Sequence, residues 1–137
     1  MRVRKAKKAD FPEIIALAGD LGLDYTGMEE DAFWVAEADG RIAGIVGLKK
    51  HPDCLELCAL GVEPGSRGQG LARDLVRSLL DSARADVFLA TIIPAFFERC
   101  GFVRVADGPR SLSDKRGTDW CEGCDRKSCT VMVNRPS

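Results

Sequence analysis

The chain has 137 residues, and its 20 Lys and Arg residues nearly balance its 21 Asp and Glu residues, for a formal net charge of −1. This length predicts one domain with one core, the 45% hydrophobic content argues against disorder, and the neutral charge argues against a nucleic-acid partner. No apolar run approaches the roughly 18 residues of a membrane span, and no signal peptide is evident. We therefore expect a cytoplasmic protein without a membrane partner.

The first half of the chain predicts a strand, a helix and an antiparallel meander. Asp10 is the predicted N-cap of the helix, with Glu13 as its capping-box partner. The dipeptide Asp39-Gly40 between two apolar runs is a strong signal for a two-residue hairpin. The predicted strands of this half span residues 2–7, 32–38, 41–50 and 54–62.

The second half begins with a glycine-rich turn and an amphipathic helix, whose leucines repeat at i, i+4 from Leu71 to Leu79. A fully apolar strand is predicted next, of the type buried on both faces. The remaining predicted elements are strands at residues 86–93, 102–106 and 130–133, a short helix at 95–100, and a polar loop at 107–119. Together they predict a single α/β (α+β) domain over residues 1–137, with a mixed, mostly antiparallel sheet and helices on both faces.

The glycine-rich turn is the most specific local feature. Gly65, Gly68 and Gly70 lie at the start of the amphipathic helix, where the first backbone amides have no intrahelical acceptor and favour anions. Arg67 adds a positive charge to this turn. The spacing differs from that of a P-loop and of a dinucleotide-binding fingerprint. A tight strand-to-helix connection without a ligand is the plain alternative.

Residues 62–72 resemble the acetyl-CoA motif of the GNAT N-acetyltransferase superfamily. The motif has the pattern Arg/Gln-x-x-Gly-x-Gly/Ala, which Arg67, Gly70 and Ala72 match. Residues 96–102 match a second family element, a helix of the type aromatic-aromatic-Glu-Lys/Arg-x-Gly-Phe. Two motifs within the matching order of elements imply a GNAT-like domain.

The resemblance implies acetyl-CoA as co-substrate and assigns residues to it. The backbone amides of Leu60 and Val62 would hold the thioester and the pantetheine arm, and Gly61 between them would permit a bulge in the strand. Phe97 and Arg99 of the second motif would complete the coenzyme site. The loop residues that would hold the pyrophosphate are Arg67, Gly68, Gln69, Gly70, Leu71 and Ala72.

Glu56 is the predicted catalytic residue. It is the one carboxylate in an otherwise apolar strand, which makes it a candidate general base for an attacking amine. The alternative is an edge-facing carboxylate in water, but the family often carries a Glu in this strand. Many members also carry a Tyr as general acid where this chain has Phe97. Here the thiolate must leave unassisted or take its proton from water or another residue.

Three cysteines lie near the C-terminal end, in a segment that resembles the tail of short N-acetylglutamate synthase-type amino-acid acetyltransferases. Cys121 and Cys124 have zinc-knuckle spacing and Cys129 is a third thiol, but no fourth ligand follows. We therefore predict no metal, and we favour reduced thiols over zinc or a redox pair. His51, the single histidine, precedes Pro52 in a turn, and we expect it to be a surface-loop residue.

The predicted partner is a small-molecule primary amine, and two acceptor classes stay open. A glutamate-like amino acid would require basic groups, which the polar loop offers as Arg110, Lys115 and Arg116. A cationic amine (a polyamine, an aminoglycoside, a protein N-terminus or a lysine) would suit residues 9–40, which hold nine acidic and no basic residues. A non-catalytic acyl-CoA-binding or regulatory module is the alternative function class, and a homodimer is left open.

Overall fold

The computed structural model describes residues 2–106, 108–115 and 130–136. The described residues contain seven strands in one mixed sheet and four α-helices, which confirms the predicted fold class. The strands are β1 Arg2–Lys5, β2 Ala32–Ala38, β3 Arg41–Lys50, β4 Leu55–Val62, β5 Val87–Thr91, β6 Val103–Arg104 and β7 Thr130–Asn134. The helices are α1 Phe11–Leu21, α2 Leu71–Ala83, α3 Pro94–Arg99 and α4 Arg110–Lys115. The strand order in the sheet is β1-β2-β3-β4-β5-β7-β6.

Contacts within the chain define two compact units. The first comprises Met1–Lys49 and Leu57–Ser82, and the second comprises Lys50–Glu56 and Ala83–Ser137. Among the described residues, no helix has the length and apolar character required to cross a bilayer.

The first unit is built on the antiparallel pairs β1–β2 and β2–β3. The hairpin between β2 and β3 turns at Asp39 and Gly40, whose φ angles of 52° and 78° are both left-handed. This is the backbone that a two-residue type I′ turn requires, so the predicted hairpin is confirmed. The buried cluster against the sheet consists of Ile14, Ala18, Met28, Phe33, Val35, Ile42 and Ile45.

Helix α2 has the predicted amphipathic pattern. Its apolar stripe is buried, with Leu75 and Leu79 fully enclosed, while Arg73, Arg77 and Asp81 are exposed. The first unit also has a close approach at Gly44, where an added Cβ would lie 3.1 Å from Leu75 Cδ1. A larger residue there would push against the packed face of α2.

The second unit is centred on β5, which pairs antiparallel with β7 over five residues. Its parallel pairing with β4 covers two positions only, Leu55 with Val87 and Glu56 with Phe88. Residues 110–115 form α4 where the sequence predicted a polar loop, so that prediction was wrong. The helix is held by Leu112, which is 1% exposed, and a single apolar residue gives too little periodicity to identify a helix from sequence.

Asp10 is the N-cap residue of α1, as predicted, but the predicted capping bonds are not formed. The carboxylate of Asp10 makes no capping bond to α1. It accepts hydrogen bonds from the Lys7 amide (2.7 Å) and from the Arg4 guanidinium (2.7 and 2.9 Å). Arg4 also pairs with Glu37 on β2. The carboxylate of Glu13 accepts from the Ile42 amide at 3.1 Å instead of completing a capping box.

This network makes stability depend on pH through Asp10. The Arg4 hydrogen bonds and the Lys7 amide lower the pKa of Asp10 from 3.8 to about 2. Because the folded pKa is depressed, the ionised carboxyl stabilises the protein above about pH 4, and this contribution is lost as the pH falls from 3.8 towards 2. Asp10→Asn should therefore lower the free energy of unfolding measured in urea at pH 6, by an amount that shrinks towards pH 2.

Asp20→Asn is the matched control, because Asp20 is an exposed carboxylate at the other end of α1. It should change the free energy of unfolding by less than about 0.5 kcal/mol. A difference between Asp10→Asn and the parent protein that stays constant from pH 6 to pH 2 would contradict this account.

Candidate active site

Strand β4 contains an alanine in the left-handed region, Ala59, with φ 49°. This conformation costs an L-residue about 1–2 kcal/mol, and such outliers in strands occur at bulges and functional sites. The irregular backbone of β4 therefore lies at Ala59, two residues before Gly61, where a bulge was predicted. Gly61 instead allows close packing, because an added Cβ would lie 2.7 Å from Leu21 Cδ1 and 2.5 Å from Leu23 Cδ1.

Glu56 lies on β4, three residues before Ala59, and its carboxylate is turned inward. Its side chain is 10% exposed, and its Oε1 lies 2.6 Å from Nε2 of His51, whose side chain is 12% exposed. The alternative of a carboxylate at an edge in water is thus excluded. The expectation for His51 was also wrong: the residue lies in the predicted turn, but its ring packs inward onto Glu56.

The turn before β4 explains how His51 reaches Glu56. The amide of His51 donates to the carbonyl of Cys54 at 2.8 Å, which closes the turn. The carboxylate of Asp53 accepts from the amide (3.2 Å) and hydroxyl (2.6 Å) of Ser111 on α4, and the Ser111 hydroxyl lowers the pKa of Asp53. The sequence signal that could have identified this pair is a His and a Glu on either side of a Pro-Asp turn.

The loop after β4 is held by several polar contacts. Glu63 accepts from the Ser66 hydroxyl at 2.8 Å and pairs with the Arg41 guanidinium, and these two groups lower its pKa, Arg41 more than Ser66. The amide of Glu63 donates to the Ala43 carbonyl at 2.8 Å. At the other end, Nε of Arg67 donates to the Val62 carbonyl at 3.0 Å. The loop therefore has a defined shape before any ligand binds.

Two of the three predicted loop glycines are required by the backbone. Gly68 and Gly70 have φ angles of 84° and 79°, whereas Gly65 is outside the left-handed region. Asp74 makes the first intrahelical bond of α2 to the Gly70 carbonyl at 3.1 Å. The amides of residues 71–73 thus precede the helical hydrogen-bond ladder, and this is the arrangement that binds anions.

The remaining predicted coenzyme residues are found in different environments. Arg67, Gly68, Gln69 and Gly70 are exposed, Ala72 is half-buried, and the Leu71 side chain is buried in the first unit. Leu60 is half-buried and Val62 is buried, and both lie beyond the two positions at which β4 pairs with β5. Because the predicted contacts of Leu60 and Val62 use backbone amides, burial of their side chains does not oppose them.

The two predicted coenzyme residues of the second motif differ in exposure: Phe97 is buried and Arg99 is exposed. Phe97 is 5% exposed and packs edge-to-face against Phe96 and Phe102, with centroid distances of 5.0 and 5.7 Å. The ring belongs to the core of the second unit, and the coenzyme contact of Phe97 stays a prediction. Arg99 is exposed in the last turn of α3.

Tyr25, the single tyrosine, forms a separate cluster in the first unit that sequence reasoning missed. Its hydroxyl donates to Asp31 at 2.6 Å and lies 3.5 Å from Sγ of Cys58. The Lys49 ammonium lies 4.6 Å from the centre of its ring. Burial, together with the neighbouring Cys58 and Asp31, raises the pKa of Tyr25, so the phenol stays protonated.

The predicted thiol trio Cys121, Cys124 and Cys129 lies outside the described residues. Cys54 and Cys58 lie beside or within β4, and Cys100 lies at the end of α3; none of these three described cysteines forms a disulfide. Within the described part of the chain, no group of three or more His, Cys, Asp or Glu residues is arranged to hold a metal ion.

Comparison with known proteins identifies the family. Residues 4–102 match the acetyltransferase (GNAT) family model, so the chain belongs to this family and the resemblance of residues 62–72 is confirmed. The chain is 40% identical over 82 residues to N-acetyltransferase 8 of Rattus norvegicus, a match that covers 53% of this chain and 37% of that relative. It thus spans little more than a third of that relative's length.

Solved structures with the same fold include coenzyme complexes. The Mycobacterium tuberculosis protein Rv2747 in complex with CoA is 23% identical, with a TM-score of 0.75 and full coverage of both chains. N-acetylglutamate synthase of Neisseria gonorrhoeae, complexed with coenzyme A and N-acetyl-glutamate, is 22% identical, with a TM-score of 0.76 over 99% of this chain and 35% of that one. These likenesses establish the fold.

The loop geometry makes a testable distinction between two exposed glycines. An added Cβ meets nothing within 4 Å at either Gly65 or Gly68, but Gly68 alone has a positive φ. Gly68→Ala should therefore lower the free energy of unfolding by about 1–2 kcal/mol, and Gly65→Ala should change it by less than about 0.5 kcal/mol. Urea unfolding measures both, and equal losses in the two variants would contradict the described loop.

Proposed function

We propose that this chain transfers the acetyl group of acetyl-CoA to the primary amine of a small molecule, with Glu56 as the general base. The observation that carries the proposal is the buried Glu56 carboxylate on the strand that leads into the glycine loop of α2. Membership of the acetyltransferase family supports acetyl-CoA as donor. Coenzyme A in the related solved complexes supports it further.

The coenzyme assignment follows the local geometry. The amides at the start of α2 and the exposed loop from Arg67 to Gly70 offer the pyrophosphate hydrogen-bond donors at the positive end of a helix dipole. The Leu60 and Val62 amides, beyond the β4–β5 pairing, would hold the thioester and pantetheine. Arg99 on α3 adds an exposed cation for the coenzyme phosphates.

The reaction is direct attack of the amine on the thioester, without an acetyl-enzyme. The nitrogen lone pair forms a C–N bond to the carbonyl carbon, and the C–S bond breaks to release the coenzyme A thiolate. Glu56 accepts the proton that the nitrogen loses. The products are the N-acetyl compound and coenzyme A, whose sulfur takes a proton from water, since Phe97 has none to give.

For the acceptor, we favour an α-amino acid over a cationic amine. Five of the nine acidic residues in the 9–40 segment are engaged within the protein and do not form a free negative rim; they are Asp10, Glu13, Asp31, Glu37 and Asp39. The solved relative complexed with N-acetyl-glutamate also supports an amino acid, as does a relative named N-acetylaspartate synthetase from Homo sapiens, 35% identical over 63 residues. Arg110, exposed on α4, is one of the basic residues of the predicted loop.

Glu56→Gln tests the assignment of the base. The amide cannot accept the amine proton, so the maximal turnover should fall by about 10²–10⁴-fold. The affinity for acetyl-CoA should stay within about twofold, because Glu56 precedes the coenzyme-binding part of β4. Thiol release from acetyl-CoA, measured with a panel of amino acids, polyamines and aminoglycosides, gives both turnover and acceptor class.

Asp81→Asn is the control, since it also converts one carboxylate into an amide, on the exposed face of α2. It should leave turnover unchanged. Turnover in Glu56→Gln equal to that of the control would remove Glu56 from the mechanism. Coenzyme binding without turnover of any acceptor would instead identify the alternative, an acyl-CoA-binding module.

A further inference from the structure

We infer that His51 is a positioning residue for the catalytic carboxylate, an inference that rests on the proposed function of Glu56. The two side chains form a polar pair in the second unit, with 2.6 Å between His51 Nε2 and Glu56 Oε1. Both are about nine-tenths buried. At this depth the rotamer of the carboxylate is set by its hydrogen-bond partners, because a misplaced carboxylate would lose them.

The chemistry of the pair assigns the donor. An ionised carboxylate only accepts hydrogen bonds, so the proton of this bond is carried by His51 Nε2. The bond engages Oε1 of the carboxylate that accepts the proton of the attacking amine. His51 thus holds the base in one orientation and does not itself touch the substrate.

The backbone around His51 supports a positioning role. The turn is closed by the bond from the His51 amide to the Cys54 carbonyl, and Asp53 within it is held by two hydrogen bonds from Ser111. Ser111 lies in α4, next to the buried Leu112. The His51 imidazole therefore reaches Glu56 from a turn that is held by a backbone hydrogen bond and by the side chain of Asp53.

Two amide variants separate positioning from packing. Gln at position 51 places its side-chain nitrogen near the location of Nε2 and still donates to Glu56, whereas Asn is one methylene shorter and does not reach. His51→Gln should keep kcat within about fivefold of the parent protein. His51→Asn should lower kcat by about 10–100-fold, the loss typical of a misaligned catalytic group, with an unchanged KM for acetyl-CoA.

The same assay is run in the Glu56→Gln background. If His51 acts through Glu56, His51→Asn should have no further effect once the carboxylate is gone, because residues that act as a unit are non-additive. A purely structural role would instead lower the midpoint of thermal unfolding and reduce kcat in both backgrounds. Should His51→Asn fail to fold, Ser111→Ala, which removes the hydroxyl bond to Asp53 and leaves only the amide bond, should lower kcat without changing the coenzyme KM.

The outcomes are distinguishable. An active parent protein with His51→Asn at the parent kcat overturns the inference and leaves the proposed function intact. Equal losses in His51→Gln and His51→Asn also overturn it, because the donated bond would then be irrelevant. A parent protein without turnover on any acceptor overturns the proposed function, and the inference with it.

Discussion

The architecture depends on one constraint on β4. This strand must lie between two neighbouring strands, and its pairing with the second of them must end early. The strand lies between β3 and β5 in the sheet, and its parallel pairing with β5 ends after Glu56. Three residues later Ala59 adopts a left-handed backbone at a cost of about 1–2 kcal/mol. Local strain of this kind persists only where surrounding packing determines it, and here Gly61 lets Leu21 and Leu23 close over the strand.

Either side of this break, β4 carries the two halves of the proposed chemistry. Before it lies Glu56, the proposed base, which is buried and bonded to His51. After it lie the amides of Leu60 and Val62, and then a loop whose shape is set by Glu63 and its partners. The proposed base and the proposed coenzyme contacts thus follow one another along a single strand.

The features that sequence predicted are those with local causes. The Asp39-Gly40 hairpin, the stripe of α2 and the left-handed glycines of the loop each follow from the residues involved. The sequence also identified Glu56 as the candidate base. Its environment could not be predicted, because His51 reaches it through a turn whose closure depends on backbone bonds and on Ser111, 58 residues beyond Asp53. The left-handed backbone of Ala59 could not be predicted either. Glycine is the residue usually found in that conformation, so an alanine gives no signal for it in the sequence.

The central claim is that the loop and strand from Leu60 to Ala72 form an acetyl-CoA site. Calorimetric titration of the protein with acetyl-CoA tests it most directly, without requiring the acceptor to be known. The account predicts saturable binding of one coenzyme per chain, with a dissociation constant below about 1 mM, the upper end of the usual range for substrates. The absence of saturable heat at millimolar acetyl-CoA, together with an unchanged melting temperature, would contradict it.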